Sequence, residues 1–287
     1  MRKLFLLTVF CVLTLAPALE GQNQSETRRY LYLSTPDAAQ LEGQAEGAGI
    51  LIFDIDDGHK LVRRIDIPIF EEGLRGFAAS LATHSAYFST QHPRIGAFDL
   101  ETDEIVWEQN YTLGSDRSSV TMDGKKVYVP TGWWISGEES GVLVLDAENG
   151  ELIKQVRVGS QAHNSLVSVD GRFLYLGTTM MLTVLDTENE SIVHQIAPVG
   201  EPGGQGVFPF TVDSRNRYAY VSLGNHVGFE VVDLEQERII HRVLVDGEPI
   251  LHRTHGAALT PDEMELWISD QESRKLFIFD NTQMPPV

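Results

Sequence analysis

The stretch Val142-Leu-Val-Leu-Asp146 decides the fold, because its pattern returns along the whole chain. Short runs of apolar and β-branched residues end in an aspartate six times, at Asp54, Asp99, Asp146, Asp186, Asp233 and Asp280. The successive spacings are 45, 47, 40, 47 and 47 residues. A period of this length is typical of proteins that are built from repeated supersecondary units.

An aromatic residue lies in a second short run upstream of each aspartate. The series is Tyr32, Tyr87, Tyr128, Tyr175, Tyr220 and Trp267. A further apolar run precedes most of them and ends in a tight turn, as at Asp123-Gly124 and Asp170-Gly171. Asp-Gly predicts a two-residue hairpin turn, because such turns need positive φ angles. One more β-branched run follows most of the repeat aspartates. Each repeat therefore predicts four antiparallel strands, which we label a, b, c and d.

Four short antiparallel strands in a recurring unit predict an all-β fold, a β-propeller of four-stranded blades. The aromatic series is then expected to pack between neighbouring blades. Six repeats are visible, but the first has no clear strand a and the last stops after strand c. Pro285 and Pro286 disfavour a final strand d. Either six irregular blades close loosely, or a seven-bladed design lacks its closing blade in this chain. We expect the second, with a C-terminally incomplete propeller domain at residues 29–287.

The N-terminus predicts export. Arg2 and Lys3 precede an apolar run, Leu4 to Leu15, and Ala16-Pro17-Ala18 offers a cleavage site. Residues 1–18 are therefore interpreted as a signal peptide, with a signal anchor as the alternative, and residues 19–28 as a flexible segment. This predicts a periplasmic or secreted protein. Cys11 is the only cysteine, so the mature chain can hold no disulfide, thiolate metal site or c-type haem.

The charge of the chain restricts its partners. Its 41 acidic and 22 basic residues give a formal net charge of −19. An excess of this size disfavours contact with phosphate backbones and anionic lipid. We therefore expect no nucleic-acid partner, and no membrane partner after signal cleavage.

The repeats resemble the YVTN family of β-propeller repeat proteins. The matching segments are Tyr128-Val-Pro-Thr131, Tyr175-Leu-Gly-Thr178, Tyr220-Val-Ser222, Val158-Gly159 and His255-Gly-Ala-Ala-Leu-Thr-Pro-Asp262. The resemblance covers nearly all of the mature chain and implies an extracytoplasmic, WD40-like propeller. Related propellers include the β-subunit of quinoprotein amine dehydrogenases and the haem d1 domain of nitrite reductase. Neither relationship places a catalytic motif on these residues.

A fixed position within the repeat, which we call the repeat phase, identifies a set of residues at one end of the predicted channel. Asp116, His163 and His255 each lie seven positions before a turn aspartate, and Arg75 is the equivalent residue of the second repeat. These starts of strands a should line the channel mouth, with Asn164 and Arg253 nearby. His163, His255 and Asp116 are candidate metal ligands, and Arg75 with the histidines could equally hold an anion. Alternatively, the histidines only hydrogen-bond neighbouring blades. No cofactor is evident beyond such a metal ion.

Two b–c connections are unusually long and should emerge at the same end. One runs from Tyr32 to Asp54, and the other, from Tyr128 to Asp146, contains Trp133 and Trp134. Aromatic loops on a rigid scaffold often form binding sites. Alternatively, the tryptophans fold back over the channel as a plug.

These features favour a binding or scaffold protein that presents the channel mouth to a small molecule or a protein. The sequence contains neither a G-x-S-x-G nor an H-E-x-x-H motif. Whether the protein is an enzyme stays open, with a preference for no enzymatic activity. The alternative is a periplasmic enzyme or redox partner of the lactonase or quinoprotein-dehydrogenase kind, with chemistry at His163 and His255.

Overall fold

The computed structural model describes residues 28–35, 49–67, 74–90, 93–159, 161–179, 181–197, 206–207, 209–224, 226–245 and 254–287. Within these residues the fold is all-β, and the one helical segment is a short 3-10 turn at Gly137–Glu139. No helix in the described ranges is long and apolar enough to cross a bilayer. The predicted signal peptide and most of the segment 19–28 lie outside the described residues.

The strands form six antiparallel sheets that follow one another along the chain. The first three sheets contain β1 (Tyr30–Thr35), β2 (Gly49–Asp54), β3 (Lys60–Asp66); β4 (Leu74–Ser80), β5 (Ser85–Thr90), β6 (Arg94–Asp99), β7 (Ile105–Asn110); and β8 (Ser119–Val120), β9 (Lys126–Pro130), β10 (Gly141–Asp146), β11 (Leu152–Arg157). The last three contain β12 (Asn164–Val167), β13 (Phe173–Gly177), β14 (Leu182–Asp186), β15 (Ile192–Ile196); β16 (Phe210–Val212), β17 (Tyr218–Ser222), β18 (Gly228–Asp233), β19 (Arg238–Leu244); and β20 (Thr254–Leu259), β21 (Glu265–Asp270), β22 (Lys275–Asp280).

This arrangement confirms the predicted β-propeller and its strand order. In every sheet consecutive strands are neighbours, so each sheet is an up-and-down meander. The repeat aspartates are the last residues of β2, β6, β10, β14, β18 and β22. As described, the first sheet has strands b, c and d, and the last sheet has strands a, b and c. Instead of a fourth strand, the last residues fold back, and Asp280 and Val287 exchange two backbone hydrogen bonds of 2.6 and 3.1 Å.

The prediction of two-residue Asp-Gly turns was wrong. Thr121 N–H donates to the carbonyl of Lys126 at 3.0 Å, so four residues lie between the closing pair. Gly124 has a φ of +72°, whereas Asp123 stays in the usual region. The carboxylate of Asp123 instead accepts hydrogen bonds from the Thr121 hydroxyl at 2.7 Å and from Lys125 N–H at 3.1 Å. The aspartate therefore stabilises the longer turn through its side chain.

The core consists of layers between successive sheets, and the aromatic series lies in these layers. Tyr128 of the third sheet, for example, packs with Leu174, Leu176 and Leu185 of the fourth. The tyrosines at 87, 128, 175 and 220 are at most 2 % exposed. Each points to the sheet that follows it. The predicted packing role of the aromatic series is confirmed at these four positions.

The outer faces of the first and last sheets differ from all the others. Trp267, the last aromatic of the series, is 36 % exposed, and its cross-strand partner Ile278 is 52 % exposed. On the first sheet, Leu31 and Leu33 are 43 % and 48 % exposed. Within the described residues, five core clusters join the six sheets in order, and none joins the last sheet to the first. The seventh blade stays a prediction, and these two apolar faces are where it would pack.

Candidate functional site

Two β-bulges place equivalent residues at the start of strands a. In β4 the pairing register shifts between Leu74 and Gly76, which leaves Arg75 as the extra residue. In β20 the same shift between Thr254 and Gly256 leaves His255 as the extra residue. A bulge redirects the side chain of its extra residue. Arg75 and His255 therefore occupy the same structural position in the second and sixth sheets, as the repeat phase predicts.

The third and fourth sheets contribute the segments just before β8 and at the start of β12. Residue Arg117 pairs with Asn164 through an isolated parallel β-bridge. Its N–H donates to the carbonyl of His163 at 3.4 Å. The hydroxyl of Ser165 donates to the carbonyl of Arg117 at 2.8 Å. The backbones of the two sheets thus hold Asp116, Arg117, His163 and Asn164 in one cluster.

The side chain of Arg117 links three sheets across the channel. Its Nη1 donates to Oδ1 of Asn164 at 2.7 Å, and its Nη2 lies 3.3 Å from Nδ1 of His255. A guanidinium has donors and no acceptor, so Nδ1 of His255 accepts this hydrogen bond. Because His255 belongs to the sixth sheet, the guanidinium bridges opposite sides of the ring. The sequence analysis missed Arg117, although the repeat phase selected its neighbour Asp116.

The same hydrogen bonds orient His163. Since Oδ1 of Asn164 accepts from Arg117, the amide Nδ2 of Asn164 faces Nε2 of His163 and donates to it. This places the imidazole proton on Nδ1. The His163 side chain is 1 % exposed. Burial and the positive charges of the nearby arginines hold its pKa well below the usual value, so His163 is neutral at neutral pH.

Asp116 is the one carboxylate among the described residues of this cluster, and it is buried. Burial raises its pKa to about 6, although Arg117 and Arg75 act in the opposite direction. Its Oδ2 has no hydrogen-bond partner among the described residues. Burial likewise lowers the pKa of Arg117, although Asp116 opposes this. The cluster therefore contains two cations, one carboxylate and neutral His163.

The two tryptophans fold inward over this cluster. The ring of Trp133 lies 3.9 Å from the ring of His163, centroid to centroid, at an interplanar angle of 30°. The guanidinium carbon of Arg75 lies 5.7 Å from the ring centroid of Trp134. Gly132, at a φ of +91°, leaves room for the second indole, since a Cβ there would lie 2.5 Å from Cζ2 of Trp134. Both indoles are half-buried, which favours the covering arrangement over two freely exposed rings.

We call this cluster the channel mouth. It contains the predicted residues Arg75, Asp116, His163, Asn164, His255, Trp133 and Trp134, together with Arg117. Arg253 lies outside the described residues. No group of three His, Cys, Asp or Glu side chains suited to a metal ion occurs in the described part of the chain. Arg117 occupies Nδ1 of His255, which leaves Nε2 as the ring nitrogen that could bind a metal, and the metal site stays an untested prediction.

Two cavities among the described residues lie away from the channel mouth. A cleft of about 540 Å³ between the second and third sheets includes Thr83, Trp107, Lys125 and Asp146 in its lining. Another, of about 280 Å³, lies among the fourth, fifth and sixth sheets and includes Leu166 and Leu259. Both are built largely from the turns at the opposite end of the blades. The channel mouth is a polar cluster in which Arg75 is the exposed member.

Solved structures identify the fold class. No protein-family model and no curated protein matches the chain in sequence. The β-propeller domain of Cps50 (Swd1) from Myceliophteria thermophila superposes with a TM-score of 0.65 at 11 % identity, over 89 % of this chain and 82 % of that one. Hydrazine synthase from Kuenenia stuttgartiensis gives a TM-score of 0.61 at 16 % identity, over 77 % and 66 %. The chain therefore has a β-propeller fold, and the WD40-like class stays a prediction. The finer resemblance to the YVTN family stays a prediction.

Proposed function

We propose that this chain is an exported binding protein that holds a small ligand at the channel mouth, at the rim formed by Arg75, Trp133 and Trp134. The observation that carries the proposal is the polar network of Arg117, Asn164 and His255, which joins three blades. Such a network is preorganised, because Asn164 and His255 project from strands and the backbone of Arg117 is held to the fourth sheet by a β-bridge. The export part rests on the N-terminal sequence alone.

The geometry favours binding over acid–base catalysis. A histidine base is usually oriented by a carboxylate, which also stabilises the imidazolium that forms. Here His163 is paired with an amide, and His255 is paired with a guanidinium. Both partners disfavour a positive imidazole. The alternative, an enzyme with chemistry at this histidine pair, would need a group that stabilises the imidazolium formed during proton transfer.

A thermal-shift screen of the purified chain against a small-molecule library tests the proposal. A ligand present at about one hundred times its Kd stabilises by about 2.7 kcal/mol, which should raise the Tm by about 5 °C. We expect at least one compound to do so with the unmodified chain and not with Trp133→Ala. Trp267→Ala is the matched control, since Trp267 lies on the outer face of the last sheet. Hits that persist in Trp133→Ala, or a screen with no hits, would contradict the proposal.

A further inference from the structure

We infer that the ligand of the channel mouth is a small organic carboxylate of single negative charge, bound by Arg75 and Arg117 and packed against the indoles of Trp133 and Trp134. This inference rests on the proposed function and specifies its ligand class.

The first support is that these two arginines have no acidic partner within ion-pair distance among the described residues. The half-buried arginines Arg63, Arg64 and Arg94 each form an ion pair within 4 Å, with Asp103, Asp66 and Glu108. Arg117 is half-buried as well, but it forms no ion pair within the described residues; exposed Arg75 forms none either, as is also true of other exposed arginines such as Arg172. A half-buried guanidinium without an ion pair is unexpected in a chain with 41 acidic and 22 basic residues. The negative partner of the two guanidinium groups would come from a ligand.

The second support is the number of N–H groups on Arg75 and Arg117 that have no acceptor among the described residues. The guanidinium of Arg117 donates to two side-chain acceptors without negative charge, Oδ1 of Asn164 and Nδ1 of His255. Its other N–H groups, and all those of Arg75, have no hydrogen-bond partner among the described residues. A guanidinium presents paired donors in a plane, which match the two oxygens of a carboxylate. The channel mouth thus offers the donors that a carboxylate needs.

The charge of the cluster sets the charge of the ligand. Arg75 and Arg117 contribute two positive charges, Asp116 contributes one negative charge when ionised, and His163 is neutral. Nδ1 of His255 accepts a hydrogen bond from Arg117. Among the described residues of the cluster, the two guanidinium groups outnumber the single carboxylate, which leaves an excess of positive charge. A monoanion neutralises this charge, whereas a phosphate dianion would leave an excess beside the buried Asp116 carboxylate.

The two indoles set the shape of the ligand. Trp133 lies against the ring of His163, and Trp134 lies against Arg75. An indole presents a large apolar face with a single polar N–H group. A carboxylate with a flat or short apolar body can therefore place its charge on the arginines and its body on the rings. Benzoate is the simplest probe with both features.

Isothermal titration of the purified chain with acetate, lactate and benzoate tests the inference, with acetamide, lactamide and benzamide as neutral analogues. We expect at least one carboxylate to bind at least tenfold more tightly than its amide, because hydrogen bonds to a charged acceptor are the stronger ones. Inorganic phosphate, tested at the same pH, should bind more weakly than that carboxylate.

Arg75→Gln is the informative variant, because Arg75 is exposed and its replacement should not impair folding. It should weaken carboxylate binding at least tenfold. Arg172→Gln is the matched control, since Arg172 also lies over an aromatic ring, that of Phe173 at 5.1 Å, but at the opposite end of the blades. This control should leave binding unchanged.

Three outcomes would overturn the carboxylate inference: equal affinity for acid and amide, unchanged binding in Arg75→Gln, or no binding by any of the three acids. The proposed function fails separately. If the thermal-shift screen yields uncharged ligands that depend on Trp133, the binding function stands and only the ligand class is wrong.

Discussion

Asp116 is the residue at which burial and charge oppose each other most clearly. The positive charges of Arg117 and Arg75 both act to lower its pKa, yet the pKa rises to about 6 from an ordinary value of 3.8. The loss of hydration on burial therefore outweighs the attraction of both guanidinium groups. At neutral pH the folded protein carries a buried, ionised carboxylate at a cost in stability, as is common at sites that have been selected for binding rather than for stability.

The Asp116→Asn variant should therefore be more stable than the unmodified chain at pH 8. Because the pKa is raised on folding, the folded state binds this proton more tightly than the unfolded state. The cost of ionisation appears as the pH rises from about 4 to about 6, and it is complete above that range. A rise of the pKa from 3.8 to about 6 corresponds to about 3 kcal/mol. Urea denaturation at pH 4 and pH 8 measures the difference.

The comparison between the two proteins isolates Asp116. His163 has a lowered pKa, so its contribution to stability is lost as the pH falls below about 6.5. This occurs in both proteins and cancels in their difference. The variant creates an Asn-Arg-Ser sequon, so both proteins should come from a host that does not glycosylate asparagine. Equal stability at pH 8, or a less stable variant, would contradict the interpretation.

At the residue scale, the repeat phase predicts which side chains reach the channel mouth, but it does not predict their partners. His163 and His255 are selected because each lies seven residues before a turn aspartate. The rule misses Arg117, because Arg117 lies one position after the selected residue Asp116 and reaches its partners through its long side chain. The hydrogen bonds from Arg117 to Asn164 and His255 span 47 and 138 residues of sequence. Local spacing contains no information about such contacts.

At the scale of the element, the bulge of β4 sets the distance between the second and third blades. Gly76 follows the extra residue Arg75, and its Cα lies close to the segment before β8. A Cβ at this position would lie 2.6 Å from the carbonyl oxygen of Asp116 and 2.7 Å from the backbone nitrogen of Ser118. The glycine is therefore required by the close approach of two backbones, which holds Arg75 near Asp116.

Gly76→Ala should destabilise the chain by about 1–3 kcal/mol, because the added methyl group meets backbone atoms that cannot move independently. Gly256→Ala is the matched control at the same bulge position of β20. There a Cβ would meet only the side chain of Ser269, with Oγ at 2.5 Å, and that side chain can rotate. The control should cost less than about 1 kcal/mol. Urea denaturation measures both values, and equal costs would argue against the backbone contact.

The strands themselves are well predicted from the sequence, because the second to fifth blades bury their central strands on both faces. The apolar runs before the repeat aspartates become strands c, and the aromatic runs become strands b. The turns are predicted less well. Asp123-Gly124 has the composition of a two-residue turn, but the hydroxyl of Thr121 and the carboxylate of Asp123 close a four-residue turn. Competing side-chain hydrogen bonds of this kind depend on geometry that composition alone does not define.

At the scale of the whole molecule, each blade depends on its successor. The tyrosine of strand b supplies the side chain that the next sheet covers, as Tyr175 does with Phe210 and Val221 of the fifth sheet. The last sheet has no such cover among the described residues. Its outer face presents Trp267, Leu276 and Ile278, and the outer face of the first sheet presents Leu31 and Leu33. Apolar faces and free edges of this kind favour association.

The matched pair Tyr175→Ala and Trp267→Ala measures whether the outer face of the last sheet is covered in solution. Tyr175 is 1 % exposed and Trp267 is 36 % exposed, although both occupy the aromatic position of strand b. Removal of the buried ring should cost about 3–5 kcal/mol. Removal of the exposed indole should cost less than about 1.5 kcal/mol, since much of its surface already contacts water.

Urea denaturation at two protein concentrations gives both costs. It also distinguishes a face covered by a second copy of the chain from a face covered within one chain. If the cost of Trp267→Ala is small at both concentrations, the outer face of the last sheet is open, as in the structure. A cost that rises with concentration would mean that a second copy of the chain covers the face, because association stabilises by mass action. A cost equal to that of Tyr175→Ala at both concentrations would instead show that the ring closes within one chain, and the predicted gap for a seventh blade would then be wrong.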